Sequence, residues 1–441
     1  PTSTYNISRL AGVLITANYA YDNKYLFDAS LKYDGSSNFG SNQRYAPVWS
    51  VGLGWNIHRE KFMEKAIAIT QLKLRASYGV TASQSFSPYQ AMRKYQYDIE
   101  RQYAGIIPAT MKGLGNDDLK WQQTKVTNLG VDFSAFQDRL SMSVDVYKRN
   151  TTNLLADVTI APSLGFLSYT ENVGETENKG AEVSMRYMIL RDTHKNIFWS
   201  VNLSGANNSN KITKISNAMK KRNDDVKQKA YEENTTTPLL LYEEGNSVTS
   251  IYAVRSLGID PSNGKEMFLT KTGVKTYTWN TNDQVKVGDT RPDLEGVLGT
   301  SITWKNLYFS ANFRYMFGGQ TYNSTLVDRV ENANLYQNVD RRVYENRWRE
   351  AGDESFFKDI KSTDKTKQSS RFVQDENVLS CESISIGYDI MAPKILNAIG
   401  ADRIKITGYL NDAFRFSSVK QERGLNYPFA RRFAFSLNIS F

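Results

Sequence analysis

The chain has 441 residues, 40% of them apolar and 12% aromatic, with a formal net charge of +9. No run of about eighteen apolar residues occurs, which excludes a transmembrane helix, and Cys381 as the only cysteine excludes an internal disulfide or a metal-thiolate cluster. His58 and His194, the only histidines, argue against an imidazole metal site or a Ser-His-Asp hydrolase. A transmembrane β-barrel stays open, because alternating strands raise no hydropathy peak.

In chain order, alternation of period two marks a series of amphipathic strands. Val13, Ile15, Ala17, Tyr19 and Tyr21 share one face of the first, Leu10 to Tyr21. After Asp22-Asn23-Lys24, Tyr25, Phe27, Ala29, Leu31 and Tyr33 oppose Leu26, Asp28, Ser30, Lys32 and Asp34. Val51, Leu53, Trp55 and Ile57 form the next apolar face, followed by Leu72 to Val80 and Thr127 to Phe133. The pattern returns at Leu140–Val146, Ala181–Tyr187, Ile197–Leu203, Leu298–Trp304 and Leu307–Tyr315. It closes with Ile384–Ile390, Ile404–Leu410 and the terminal RRFAFSLNISF, where Phe433, Phe435, Leu437, Ile439 and Phe441 share one parity.

These are thirteen strands, mostly of about ten residues, the length that crosses a bilayer with tilt. The opposite parity carries Lys73, Arg75, Asp132, Asp145, Glu182, Arg186, Arg314 and Lys405, charges that suit a wet lumen and not a dry core. A hairpin within Ser250 to Leu269 would raise the count to fifteen.

Short links (Asp22 to Lys24, Gln137-Asp138, Arg191 to Asn196, Lys305-Asn306) alternate with long ones (Thr81 to Lys120, Asn150 to Glu177, Ala206 to Gly296, Gly318 to Ser380). His58 to Ile69 and Met391 to Ala401 fit short helical turns on the short-link side. Outer-membrane barrels have this asymmetry, with short periplasmic turns and long extracellular loops. Trp55, Trp121, Trp199, Trp304, Tyr78 and Tyr315 fall near strand ends, where aromatic girdles are expected. The chain opens PTSTYN without an initiator Met or signal peptide, so a barrel reading expects a mature fragment or a cleaved piece. Strand parity then expects an odd number of wall strands before Pro1.

The segments KYLFDASLKYDGSSNFG (Lys24 to Gly40), APVWSVGLGWNIHREKF (Ala46 to Phe62) and LKLRASYGVTASQSFSPY (Leu72 to Tyr89) carry a resemblance. So do GLGNDDLKWQQTKVTNLGVDF (Gly113 to Phe133), SLGFLSYTENVGETENKGAEVSM (Ser163 to Met185) and GIDPSNGKEMF (Gly258 to Phe268). In order and spacing the sequence resembles the C-terminal barrel portion of SusC/RagA-type TonB-dependent outer-membrane transporters of the Bacteroidetes. It departs from them at Ala82-Ser83, where Gly-Asn or Gly-Ser is usual, and at Lys32 and Asn38, where Arg is usual.

The resemblance implies an all-β, transmembrane antiparallel barrel of about twenty-two strands, of which residues 1–441 supply about thirteen with long extracellular loops. The family's plug and N-terminal domains are absent from this chain, so the remaining strands, the plug and the contact with TonB are expected from the N-terminal part of the same transporter. The implied function is non-enzymatic import of oligosaccharides or peptides across the outer membrane, together with a SusD-like surface lipoprotein acting as a lid. Phe433, Phe435 and Phe441 are the implied barrel-assembly signal. The alternatives are a passive outer-membrane porin or structural barrel, and a secreted soluble carbohydrate-binding β-protein.

No catalytic constellation and no cofactor site emerges from the residues. Asn116-Asp117-Asp118 and Tyr242-Glu243-Glu244-Gly245 could hold a loop calcium, with a solvated loop as the plainer reading. DGSSNFG (Asp34 to Gly40) precedes no helix start and reads as a turn, not a phosphate cradle. Lys220-Lys221-Arg222 read as solvated charges, and no nucleic-acid signature occurs. Tyr103, Tyr169, Tyr322 and Tyr336 suit either stacking on cargo or loop packing.

Overall fold

The computed structural model describes residues 7–40, 42–83, 89, 91–160, 165–166, 168–233, 235–420 and 430–441. Strands β1 (Leu10–Tyr21), β2 (Tyr25–Ser36), β3 (Tyr45–Asn56) and β4 (Ile69–Ser83) lead into a small hairpin, β5 (Lys94–Tyr97) and β6 (Ala109–Gly113). Then come β7 (Gln122–Ala135), β8 (Leu140–Thr159), β9 (Ser168–Asp192) and β10 (Ile197–Ile215). Helix α1 (Asn217–Glu232) precedes β11 (Ser250–Ile259), β12 (Glu266–Leu269), β13 (Lys275–Thr276) and β14 (Gln284–Asp289). The chain ends with β15 (Leu294–Trp304), β16 (Leu307–Tyr322), β17 (Val373–Ile390), helix α2 (Pro393–Ile399), β18 (Arg403–Ser417) and β19 (Phe433–Ser440).

Thirteen strands form one antiparallel wall in chain order, β1-β2-β3-β4-β7-β8-β9-β10-β15-β16-β17-β18-β19, as the alternation predicts. The hairpin envisaged within Ser250 to Leu269 forms, but outside the wall: β11 and β12 belong to a separate four-stranded sheet ordered β13-β12-β11-β14. Its strands are short and bury both faces of β11, whereas a wall strand needs one face for lipid. Among the described residues nothing pairs with the free edges of β1 and β19.

The connections divide by end. At one end the turn after β1 puts Asp22 and Asn23 at φ 51 each, a left-handed pair that Asn and Asp tolerate and that matches strand twist. Phe136, Gln137 and Asp138 (φ 57, 58 and 61) close β7 to β8 on the same end. The two middling links fold there as short helices, Ile57–Arg59 with Lys61–Met63, and α2 ended by Gly400 at φ 68. Every long excursion leaves from the other end.

The strands outrun the sequence estimate at that second end. β8, β9 and β10 have 20, 25 and 19 residues; β9 alone spans roughly 80 Å along its axis, against an apolar band about 25 Å tall. The added length carries polar residues on both faces, as in Thr176-Glu177-Asn178-Lys179 of β9 opposite Thr151, Asn150, Arg149 and Lys148 of β8.

One face of the wall is apolar: Ile15, Tyr19, Leu31, Leu53, Leu129, Val146 and Leu437 are all exposed on it. That face meets lipid, because no soluble protein sustains so broad an apolar surface.

Candidate functional site

The opposite face of the wall is polar and hydrogen-bonded across strands. Arg75 of β4 sits at its centre, with Nε donating to Asp132 Oδ2 at 2.8 Å and Nη2 to Asp132 Oδ1 at 2.9 Å. The same guanidinium reaches Asp145 on β8, Nη1 to Oδ1 at 3.0 Å, and Ser143 Oγ at 3.2 Å. Asn128 Nδ2 donates to Asp145 Oδ1 at 2.9 Å. Serine pairs continue the pattern: Ser30 with Ser50 at 2.8 Å, Ser200 with Ser301 and Ser310 with Ser385 both at 2.7 Å. Beside Arg75's partners a hollow of about 450 Å³ is lined by Asp145, Glu182, Glu295 and Arg314. Of the charges that the alternation assigns to a wet face, Arg75, Asp132 and Asp145 pair with one another, Arg314 faces Glu295 at 3.7 Å, and Lys405 lies over the Tyr308 ring at 4.4 Å.

Aromatic side chains mark both rims. At the short-turn end Tyr25 stacks with Trp55 at 6.5 Å, and Glu60 accepts from Tyr25 Oη at 2.8 Å and Trp55 Nε1 at 3.1 Å. These two donors hold the Glu60 carboxyl below its ordinary range. Trp304 stands 56% exposed at the same rim, and Trp199 Nε1 donates to Thr300 Oγ1 at 3.0 Å. Tyr78, edge-on to Trp49 at 5.5 Å, marks the opposite rim. Tyr315 lies across Gly296, where a Cβ would come within 2.5 Å of its hydroxyl, so only glycine admits the ring. Trp121 is not a girdle residue: it is 6% exposed and stacked on Phe39 at 3.8 Å. The DGSSNFG turn thus places Phe39 in a small core under the loops instead of forming a ligand cradle.

The long loops at the outer end build a packed cap. Helix α1 starts at Ser216, whose Oγ accepts from Met219 N at 3.2 Å, and its Met219 packs on Val158 and Val173 at the tops of β8 and β9. Trp279 Nε1 donates to the Gln368 carbonyl at 2.9 Å, tying the four-stranded sheet to the β16–β17 loop. In that loop Val327, Val330, Val343 and Phe372 are fully buried.

Beside this core lies a charge cluster that sequence reading missed. Arg371 Nη2 contacts Glu266 Oε2 and Glu331 Oε1, both at 2.8 Å. Burial pulls the Arg371 pKa down, but the two carboxylates outweigh it and leave the group above its ordinary value. Arg347 gives Nε to the Val343 carbonyl at 2.7 Å, Nη1 to that of Lys358 at 3.0 Å and Nη2 to that of Val330 at 2.7 Å. Lys358 Nζ donates to the Asp364 carbonyl. Burial lowers the pKa of both Arg347 and Lys358, and pushes the Tyr252 hydroxyl in β11 up to about 12.

Of the four loop tyrosines, two pack and two do not. Tyr322 Oη donates to the Thr236 carbonyl at 2.8 Å and Tyr169 Oη to Glu171 at 2.9 Å, while Tyr103 and Tyr336 are 83% and 99% exposed. The acidic runs bind protein donors: Asp118 Oδ1 accepts from Asn42 Nδ2 at 3.0 Å, and Glu244 Oε1 from Ile215 N at 3.0 Å. Among the described residues no group of three or more His, Cys, Asp or Glu converges as a metal cage. Lys220-Lys221-Arg222 lie on α1, with Arg222 over the Tyr242 ring at 5.4 Å. Phe433, Phe435 and Phe441 are 68%, 83% and 80% exposed, with Phe433 and Phe435 on the lipid face of β19.

Comparison with known proteins adds to this geometry. A family model described as TonB dependent receptor-like, beta-barrel matches residues 1–345. TonB-dependent receptor P39 of Formosa agariphila is 26% identical over 502 residues, covering 98% of this chain and 46% of that protein. TonB-dependent receptor SusC of Bacteroides thetaiotaomicron is 26% identical over 395 residues, covering 84% of this chain and 37% of that protein. Among solved structures, the RagAB peptide importer in its closed-closed state superposes with a TM-score of 0.81 at 21% identity, over 98% of this chain and 48% of that one, which shows a shared fold. The chain spans less than half the length of these relatives.

Proposed function

From the premise that this chain belongs to the TonB-dependent receptor β-barrel family and lies in the bacterial outer membrane, we propose that it is part of the wall and outer mouth of a SusC-like importer. The cargo is an oligosaccharide or a peptide, and a SusD-like lipoprotein closes over the mouth. The observation that carries this reading is the pairing of two features on one wall. One face of the sheet is a hydrated network around Arg75, and a packed cap of loops stands over its outer end. A plain structural barrel has no use for so large an ordered cap at one end only.

The free edges of β1 and β19 support a further part of the reading. Unpaired backbone is costly in lipid, so in this reading both edges are closed by further wall strands; the plug and the TonB contact belong to the same proposal and rest on the family alone. The likeness to SusC and to the RagAB peptide importer supports import, and the latter's cargo supports peptide as one of the two classes.

The test is uptake by cells carrying the full-length gene, its deletion, or a version that cannot engage TonB. Growth on oligosaccharides or peptides as sole carbon source is expected to fail in both altered strains, and a lipoprotein to co-purify with the intact protein. Uptake that is indifferent to loss of TonB would instead assign the wall to a passive porin.

A further inference from the structure

On the lipid-facing side of the wall, β7 to β10 stack their side chains in rows set by the strand register. Val131, Val144, Val183 and Gly205 form one row, and Leu129, Val146, Ala181 and Asn207 the next row toward the outer end. Above these come Thr127, Lys148, Lys179 and Ser209, and then Lys125, Asn150, Glu177 and Lys211. Four lysines thus stand on four neighbouring strands, about 15 Å across the sheet, directly over a hydrocarbon surface.

Their height follows from the strand. Lys148 lies about eight residues from Leu140 at the short-turn end of β8, roughly 27 Å of tilted strand. A lysine stem carries the ammonium further, so these charges reach the level where an apolar band about 25 Å tall gives way to the head groups of the outer leaflet. On other strands the same parity carries rings at this rim, Trp49, Tyr78, Tyr315 and Phe317. On β7 to β10 lysine takes their place.

The patch keeps an excess of positive charge. Lys148 and Lys179 are directly opposite across the strands, a like-charge pairing that costs stability. Glu177 bridges them at 2.8 Å and 2.7 Å, and it is the one carboxylate in the two rows that hold the four lysines. An ammonium has three N–H donors, and the Lys148 and Lys179 side chains are 47% and 57% exposed. Beside them a hollow of about 460 Å³ opens outward, with Leu129, Val146 and Ala181 on its lower side and Lys148, Lys179 and Ser209 on its upper side.

This arrangement selects an occupant that is anionic at one end and hydrocarbon at the other. A soluble anion leaves the apolar half of the hollow uncovered, and a neutral lipid leaves the ammoniums unanswered. We propose that the hollow binds a phosphorylated lipid of the outer leaflet, its phosphate oxygens accepting from Lys148 Nζ and Lys179 Nζ and one acyl chain lying along Leu129, Val146 and Val144. The inference rests on the membrane placement of the wall and is independent of the cargo, because this surface faces away from the lumen.

The test is lipid retention by the full-length protein in an uncharged detergent, read by native mass spectrometry with diphosphorylated lipid A as the probe. One retained lipid is expected, held about thirtyfold more weakly by Lys148→Gln/Lys179→Gln. Ala181→Phe fills the hollow while keeping every charge, and is expected to weaken retention to a similar degree. Lys94→Gln/Lys112→Gln removes the same charge from the β5–β6 hairpin and is expected to leave retention unchanged. These positions are all exposed, and heat-modifiable mobility checks that each variant is folded. Equal loss in the hairpin variant, or full retention in either patch variant, overturns the site. Equal retention of fully dephosphorylated lipid A overturns the phosphate contact, and displacement of the probe by inorganic phosphate alone overturns the lipid as occupant.

Discussion

Replacing Arg371 with Met tests whether the outer cap is a cooperative unit held by buried charge. The Arg371 side chain is 4% exposed, Glu266 9% and Glu331 0%, so solvent screens little of their interaction. Removing one partner from such a cluster costs about 3–5 kcal/mol, because the carboxylates stay buried without a counter-charge. Here one guanidinium serves two of them and also donates to the Phe356 carbonyl at 2.5 Å. The equilibrium for opening the cap is therefore expected to rise by about two to three and a half orders of magnitude. Hydrogen exchange read by mass spectrometry on the full-length protein reports this directly. Peptides from 250–269 and 322–373 are expected to lose protection in Arg371→Met while peptides from β2, β3 and β18 keep theirs. Adding Glu266→Gln and Glu331→Gln to the same variant removes the stranded charges and is expected to restore most of the protection. Wild-type protection in Arg371→Met, or no recovery in the triple variant, refutes the reasoning.

Three further outcomes follow from the geometry. Leu129→Arg places a charge on the lipid face, at a cost of about 2–4 kcal/mol near the midplane, and is expected to lower the urea midpoint of the folded barrel, whereas Ser77→Arg, exposed on the wet face of the adjoining strand, leaves it nearly unchanged; equal effects would mean that the faces are misassigned. Trp121→Ala removes the ring stacked on Phe39 at 3.8 Å and is expected to destabilise the outer β2–β3 turn by about 3–5 kcal/mol, read as faster exchange in residues 34–46. Deleting Phe441 is expected to lower the amount of heat-modifiable, folded protein in the outer membrane, and normal surface levels would remove the terminal ring from the assembly signal.

The wall was legible because lipid on one side and water on the other impose a strict period of two, as in Phe27-Asp28-Ala29-Ser30-Leu31. Where that contrast ends, the signal ends too: the upper halves of β8, β9 and β10 are wet on both faces, and Glu175-Thr176-Glu177-Asn178 carries no alternation to read. Trp121 illustrates the complementary failure. A tryptophan at a strand end looks the same in sequence whether it faces head groups or a small core, and only Phe39, far away in the chain, separates the two. The charge cluster of the cap left no local trace at all, since Arg371 meets Glu331 40 residues away and Glu266 105 residues away. Its members are single charges in unremarkable loops until the wall strands bring those loops together.

That separation dictates an order of events in biogenesis. Because every long loop lies on the outer side, the segments between β10 and β15 and between β16 and β17 must be carried across the bilayer, and folded charge clusters such as Arg371 with its carboxylates cannot be built before the crossing. Glu266 and Arg371 belong to different crossings, and they come into reach only after β15, β16 and β17 have zipped into the wall. The mouth is thus the last part of the molecule to mature. A strand-pairing defect deep in the membrane would show itself first as a gate that never forms.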